Sequence, residues 1–293
     1  MKNPILVLLF LAFGIPRVTA QNTLRPNMYY QNMHYYNAAA GIEDTSSRMS
    51  FSAYAKYKYV PANYDEYEDD DIWIKPVNLY FNHIYNINNK NSVNMSYIYD
   101  GYSFYNRNII YLGYSRTFRW KKSNRLSLGG RAVVNFNSID WERLGQITSP
   151  PSSGFRVNAD LDAGIQYQYR GWTVGASVKN LFASSVKVNG QDLIKDQREI
   201  YGNFSYNFRM FKEKVELAPF LLFYSERNFN LDAGLNLGLY QKVNVSYAIR
   251  VFELRNIFTI RGNFLKRFQV GASFDYSIIY SDYNMDLLLA YRF

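Results

Sequence analysis

The chain has 293 residues, a formal net charge of +9, no cysteine, and 28 tyrosines beside 21 phenylalanines. Without cysteine there are no disulfides, thiolate metal sites, cysteine nucleophile or lipidated N-terminal cysteine. An aromatic share of 18% suits strands and membrane interfaces, because rings pack on a pleated surface and Tyr has one wet end and one apolar end.

The first segment, MKNPILVLLFLAFGIPRVTAQ, has Lys2, an apolar run from Ile5 to Phe13, and Val-Thr-Ala before Gln21. It reads as a Sec signal peptide with cleavage expected after Ala20. The run is too short to span a bilayer as a helix, and no later stretch holds eighteen apolar residues. Residues 21–46 are polar and aromatic without a clean period, and are expected to form a plug or a periplasmic strap. Residues 47–293 are expected to form an outer-membrane β-barrel.

From Met49 onward the pattern has period two. Residues Ala159, Leu161, Ala163, Ile165, Tyr167 and Tyr169 lie on one face, against Asn158, Asp160, Asp162, Gln166 and Arg170 on the other. Such alternation predicts strands with one apolar and one polar face. Fourteen are predicted, near 47–60, 71–86, 91–100, 107–119, 124–138, 155–170, 171–181, 196–210, 214–225, 228–240, 241–252, 254–266, 268–278 and 282–293. Ordinary globular strands average about five or six residues, whereas a tilted bilayer-crossing strand needs roughly nine to eleven. Length and even count therefore predict an all-β transmembrane antiparallel barrel of about 14 strands rather than a secreted sandwich. In such a barrel the apolar rows face lipid and the polar rows face the lumen.

The connections alternate between long and short. Short turns at the presumed periplasmic end collect Lys90, Arg119, Lys121, Lys122, Lys212, Lys214, Lys242, Lys266 and Arg267. The first outer loop carries Asp65, Glu66, Glu68, Asp69, Asp70 and Asp71. The basic rim fits anionic lipid headgroups or an acidic periplasmic partner. Nucleic acid is excluded by compartment. The last strand places Leu287, Leu289, Tyr291 and Phe293 on one row. Leu289, Tyr291 and the terminal Phe293 resemble the C-terminal signal read by the barrel assembly machinery during biogenesis. A soluble edge strand of this kind would leave a long apolar edge unprotected.

Two features strain the pattern. Arg116 falls on an apolar row with Leu112 and Tyr114, where snorkelling near the periplasmic end would relieve it. Pro76 would remove a ladder hydrogen bond from the second strand, so a bulge or a late start is expected there. Inward-pointing Arg131, Asp160, Asp162, Lys179, Asp232, Arg250, Asp275, Asp286 and Arg292 are expected either to pair and fill the lumen or to line a solute path.

Catalytic chemistry is thin. The two histidines, His34 and His83, lack a cysteine or a recognisable triad, and His83 with a lumenal serine would be the one hydrolase reading. There is no phosphate loop, and no cofactor or metal is expected.

Several stretches resemble the PorP/SprF family of type IX secretion system membrane proteins. YYQNMHYYNAAAGIEDT, Tyr29 to Thr45, is similar to the family's opening run and its Asn-Pro-Ala-x-Ala-Gly box, here Asn37 to Gly41 without the proline. SVNMSYIYDGYSFYNRNIIYLGYSRTF resembles a hairpin with an aspartate, Asp100, at its tip, and LSLGGRAVVNFNSIDWERL the strand that follows. DAGIQYQYRGWTVGASVKNLF resembles the tight hairpin ending in a Ser-x-x-Asn-Leu box, here Ser177, Asn180 and Leu181. Residues 60–76 depart from the family pattern. The resemblance implies a non-enzymatic outer-membrane component of the Bacteroidota secretion and gliding machinery. Partners implied are a periplasmic lipoprotein ring or a large secreted adhesin. Candidate contacts are Tyr30, Gln31, Met33, Tyr36, Asn37 and Gly41 in the N-terminal segment and Lys121, Lys122, Lys212 and Lys214 on the rim. A passive transporter of a small or amphipathic solute is the alternative reading of the same barrel.

Overall fold

The computed structural model describes residues 26–40, 47–58, 77–102, 105–120, 123–139, 155–188, 191–225, 229–264, 267–279 and 282–293. Helix α1 (Tyr29–Tyr36) comes first. Strands β1 (Arg48–Lys58), β2 (Val77–Asn86), β3 (Asn91–Tyr102), β4 (Tyr105–Trp120), β5 (Asn124–Ile139), β6 (Phe155–Tyr169) and β7 (Trp172–Lys179) follow. A small hairpin, β8 (Ser185–Val188) with β9 (Gln191–Lys195), interrupts the wall. The wall resumes with β10 (Glu199–Tyr206), β11 (Phe208–Met210), β12 (Val215–Ser225), β13 (Phe229–Leu239), β14 (Val243–Arg250), β15 (Arg255–Phe264), β16 (Phe268–Ser277) and β17 (Asp282–Arg292).

Each wall strand pairs antiparallel with its neighbours in sequence, β17 pairs with β1, and β12 pairs with both β10 and β11. β10 and β11 are thus one wall position broken at Asn207, and the wall is a closed barrel of 14 strands. Closure removes every free sheet edge, which is what a lipid environment demands of backbone hydrogen bonds.

The fourteen sequence-predicted segments fall on these fourteen positions, with local differences. Segment 241–252 ends early, in a single 3-10 turn at Val251–Glu253 with left-handed Leu254 behind it. Pro76 and the acidic loop residues Asp65 to Asp71 lie outside the described residues, as does the segment 1–25 that carries the signal-peptide reading. The described part of the second strand starts at Val77. The β8–β9 hairpin lies between the predicted strands 171–181 and 196–210, where the sequence pattern gives no strand.

Charged and most other polar wall residues face in, and most large apolar residues face out, apart from an apolar belt on the inner wall. On β6, Asp160, Asp162 and Gln166 are buried while Leu161, Ile165 and Tyr167 are exposed. On β17, Asn284, Asp286, Leu288 and Ala290 are buried while Leu287, Leu289 and Phe293 are exposed. This is the inverted order of a membrane barrel, with lipid outside. Arg116 points outward and stacks over the Phe118 ring at 5.3 Å. His83 also faces outward, its ring 6.1 Å from that of Phe293, so the reading that joins it to a lumenal serine does not hold.

The short turns sit at one end with the C-terminus, and by the rule for such barrels that end faces the periplasm. There each strand-end is stitched to the next: Tyr240 N–H donates to Lys214 O at 2.6 Å, Asn263 N–H to Lys242 O at 2.7 Å and Arg292 N–H to Arg267 O at 2.9 Å.

Candidate functional site

The buried centre of the molecule is the lumen, and residues 26–40 lie in it. Tyr35 and Tyr36 pack within an apolar belt of the inner wall that includes Tyr80, Ile98, Val133, Tyr201, Leu222 and Ile257. Tyr35 meets Tyr80 edge-on at 6.0 Å, and Tyr36 meets Tyr201 edge-on at 5.4 Å. Fully burying one such side chain contributes roughly 1.5–3 kcal/mol. The Tyr36 hydroxyl donates to Pro26 O at 2.7 Å, bending the segment back on itself. Burial pushes the Tyr36 phenol well above its ordinary value, so it remains a donor.

Polar contacts fix the depth of the segment. The Arg131 guanidinium on β5 donates to the carbonyl oxygens of His34 and Tyr35, the latter at 2.9 Å, where α1 ends and its last carbonyls lack helical partners. Ser177 Oγ donates to Tyr36 O at 2.5 Å and Asn37 Nδ2 to Ile165 O at 3.1 Å. At the other end of the segment, Asn27 N–H donates to Asp286 Oδ2 at 2.9 Å and Asn27 Nδ2 donates to Asp275.

The Asn37-Ala38-Ala39 run lies flat against the wall because two glycines make room. Gly129 and Gly164 are opposite each other in the β5–β6 ladder and both face inward. A Cβ on Gly129 would come within 2.2 Å of Ala38 O, and one on Gly164 within 2.1 Å of Asn37 Oδ1. The two motif boxes singled out in the sequence therefore meet: Tyr36 touches Ser177, and Asn37 sits beside Gly164.

Most of the lumenal charges are paired, while Asp160 and Asp286 accept backbone amides instead. Arg131 binds Asp162 at 2.6 Å, Lys179 binds Glu199 at 3.3 Å, Arg250 binds Asp232 at 3.2 Å and Arg255 binds Asp275. Lys179 Nζ also sits 4.0 Å over the Tyr35 ring. Sequence reading placed Arg131, Asp160, Asp162, Lys179, Asp232, Arg250, Asp275, Asp286 and Arg292 inward; the first eight are buried, and Arg292 is half-buried at the end of β17. It missed Glu199, Arg255 and Arg107, which lie near strand ends where the alternating pattern is short.

The opposite end of the lumen has a second anchor. Asp196, just after β9, accepts from Arg107 at 2.6 Å, Asn135 at 2.8 Å and Asn158 at 2.6 Å. Asp160 accepts the amides of Phe182 and Ser184 at 2.9 and 3.0 Å, and Asp162 that of Asn180 at 2.8 Å. These bonds draw the connection between β7 and β8 over the inner wall. The signal in sequence was an aspartate at the end of a polar loop, which by itself is indistinguishable from a solvated one.

The candidate contact residues scatter. Met33, Tyr36 and Asn37 are in the lumen, the latter two buried. Tyr30 and Gln31 belong to α1, but their side chains, like all of Gly41, Lys121 and Lys122, lie outside the described residues. Lys212 and Lys214 are exposed on the β11–β12 turn, beside Phe211 at 74% exposure, with Lys242 and Arg267 on neighbouring turns. Among the described residues no group of acidic or histidine side chains is arranged to hold a metal ion.

Solved structures with the same fold include the toluene transporter TodX of P. putida, with a TM-score of 0.53 and 7% identity over 89% of this chain and 93% of that one. The CymD monoaromatic hydrocarbon channel matches with a TM-score of 0.55 and 8% identity, over 91% of this chain and 93% of that one. At such identity the likeness shows an outer-membrane β-barrel fold and nothing finer. No match was found among curated proteins. A family model described as type IX secretion system membrane protein PorP/SprF matches residues 18–284, and the chain belongs to that family.

Proposed function

We propose that the protein is a non-enzymatic outer-membrane barrel of the type IX secretion and gliding machinery, acting as accessory or surface-anchoring partner of an exported protein such as a large adhesin. The observation that carries a scaffold rather than a pore is the lumen itself, filled by residues 26–40 and held by Arg131, Ser177, Asp275 and Asp286. A wall that binds its own N-terminal segment at both ends leaves its outer surfaces and rims as the places to meet partners.

Residues 1–20 act as the Sec signal peptide, cleaved after Ala20, residues 21–46 as the plug segment and residues 47–293 as the barrel. Leu289, Tyr291 and Phe293 serve as the signal to the assembly machinery. Lys212 and Lys214, with Lys242 and Arg267, offer a cationic periplasmic surface suited to an acidic partner such as a component of a periplasmic lipoprotein ring.

One observation favours passive transport as a second reading. The inner wall carries an apolar belt, with Tyr80, Ile98, Leu222 and Ile257, which a small apolar solute would fit once the segment moved. The barrels of the toluene transporter and the hydrocarbon channel share this fold.

The deciding experiment is a mild-detergent pulldown of the tagged full chain from its own outer membrane, read by mass spectrometry. Near-stoichiometric recovery of a large secreted protein or of ring components is expected. A barrel that emerges alone, under conditions that keep other secretion complexes intact, would overturn the scaffold reading in favour of solute passage.

A further inference from the structure

The outer wall is not evenly bulky. Across β2 to β6 it holds a groove of about 810 Å³ whose floor is formed by outward-facing Gly130, Ala132 and Ala163. Gly130 lies opposite Ala163 in the β5–β6 ladder, and Ala132 lies opposite Leu161. Three small residues thus lie side by side where Leu128 and Ile165, next along the same outward rows, are large and exposed. Met95 and Leu112, opposite each other on β3 and β4, form one wall with Leu161 and Leu181 beyond.

The groove is graded. Its floor and its β3, β4 and β6 sides are aliphatic, with His83 on β2 level with Met95. Toward the short-turn end it is edged by Tyr85 and by Tyr114, whose hydroxyl donates to Asn91 Oδ1 at 2.6 Å. The next outward residue on β4 after Tyr114 is Arg116, exposed and stacked on Phe118. Residues two apart on a strand are separated by roughly 6.5–7 Å, so Arg116 is the first outward side chain beyond the groove's edge on β4, its guanidinium leaning over Phe118 toward the short-turn end. It has no carboxylate within ion-pair distance among the described residues, on a face otherwise given to lipid.

We propose that this groove binds one phospholipid of the periplasmic leaflet, with an acyl chain on Gly130, Ala132 and Ala163 and the phosphate on Arg116. The volume lies within the roughly 300–1,000 Å³ that small ligands occupy. The order of chemistry, aliphatic toward the bilayer interior and cationic toward the periplasmic interface, is that of an inner-leaflet phospholipid. A guanidinium offers a phosphate two parallel donors and is a strong partner for it where water is scarce. A second copy fits less well, because a two-fold contact through this face would set one Arg116 near the other. The inference rests on the outer-membrane barrel and not on any secretion partner, so a failed pulldown would leave it standing.

The test is native mass spectrometry of the full chain released from detergent, titrated with palmitoyl-oleoyl phosphatidylglycerol or with the matching diacylglycerol. Wild type is expected to retain one phosphatidylglycerol and to hold diacylglycerol at least roughly tenfold more weakly. Arg116→Gln is expected to abolish that preference, and Ala132→Trp to abolish retention of both. Val245→Trp, an outward substitution on the far wall, is expected to leave retention unchanged. Heat-modifiable migration checks folding, and Ala163→Leu replaces Ala132→Trp if the latter does not assemble. Equal retention of the two lipids by wild type, or retention that survives filling the floor, overturns the proposal. So does a pair of copies that Ala132→Trp splits, which would make the groove a self-association face.

Discussion

Arg131 on β5 and Asp162 on β6 are ladder partners 2.6 Å apart, and the same guanidinium reaches across the lumen to the carbonyl oxygens of His34 and Tyr35. One wall ion pair is therefore also the anchor of the N-terminal segment. Asp162 is held in turn by the Asn180 amide, so the segment, the wall and the outer connection share one polar network. Such networks are worth more than their separate bonds, because each member orients the next.

Arg131→Gln should break this coupling. Asp162 would be left buried without its cation, a loss of about 3–5 kcal/mol for comparable pairs. The barrel ladder has many other bonds, so heat-modifiable migration should persist. Hydrogen exchange read by mass spectrometry should show amides of residues 32–37 losing protection while β13 to β17 keep theirs. Unchanged protection of 32–37 would mean that the aromatic belt, not Arg131, holds the segment.

The glycine seat gives a sharper steric test. Gly164→Leu places a side chain where Asn37 Oδ1 lies 2.1 Å from the first added carbon. The Asn37–Ala39 run must move off the wall. Planar-bilayer recordings are expected to show open-channel steps for Gly164→Leu and silence for wild type. Gly130→Ala on the outward face, whose added carbon meets nothing nearer than 3.7 Å, is the matched control and should stay silent.

The strand positions were legible because period two sets one neighbour pattern along each wall strand, whereas which face turns outward followed only from strand length, the aromatic residues at strand ends and the N-terminal leader. The terminal row of Leu287, Leu289 and Phe293 is the clearest case. The site was less legible because its contacts join residues far apart in sequence. Asn27 meets Asp286 and Ser177 meets Tyr36 without any local period to announce it. Helix α1 was hidden for a related reason. YYQNMHYY has no apolar stripe, and Asn32 leaves helical angles within it. Gly129 and Gly164, which carry no local signal of a partner, form the floor on which Asn37 and Ala38 rest.

Asp196→Ala should loosen the outer end alone. It removes the shared acceptor of Arg107, Asn135 and Asn158, and each orphaned buried group costs about 1–3 kcal/mol. Limited proteolysis of reconstituted vesicles is expected to cut within 184–198 at least several-fold faster than in wild type. Protection of residues 32–37 should not change, because Arg131 and Asp162 remain.

Removing Phe293 should act on biogenesis rather than on the finished fold. Phe293 N–H donates to Ser47 O at 3.0 Å, and its ring lies 5.0 Å from that of Tyr291, a small share of the β1–β17 closure. Pulse-labelled cells are expected to show slow accumulation of the heat-modifiable form. Protein that does assemble should unfold in denaturant at nearly the wild-type midpoint. A lowered midpoint with normal accumulation would assign the residue to closure instead.

The basic rim is separable from the fold. Lys212 and Lys214 are exposed, and Glu213 between them already pairs with Arg209 at 3.3 Å, so reversing the lysines touches no buried contact. Exposed substitutions of this sort change stability by about 0.5 kcal/mol or less. Lys212→Glu with Lys214→Glu should therefore leave folding intact and act only on what meets the rim. If an acidic periplasmic partner docks there, its recovery in the pulldown should fall several-fold, and wild-type recovery should fall as salt is raised from low to physiological strength, where the screening length shortens to about 8 Å. Recovery indifferent to both salt and charge reversal would move the docking surface to the outer loops.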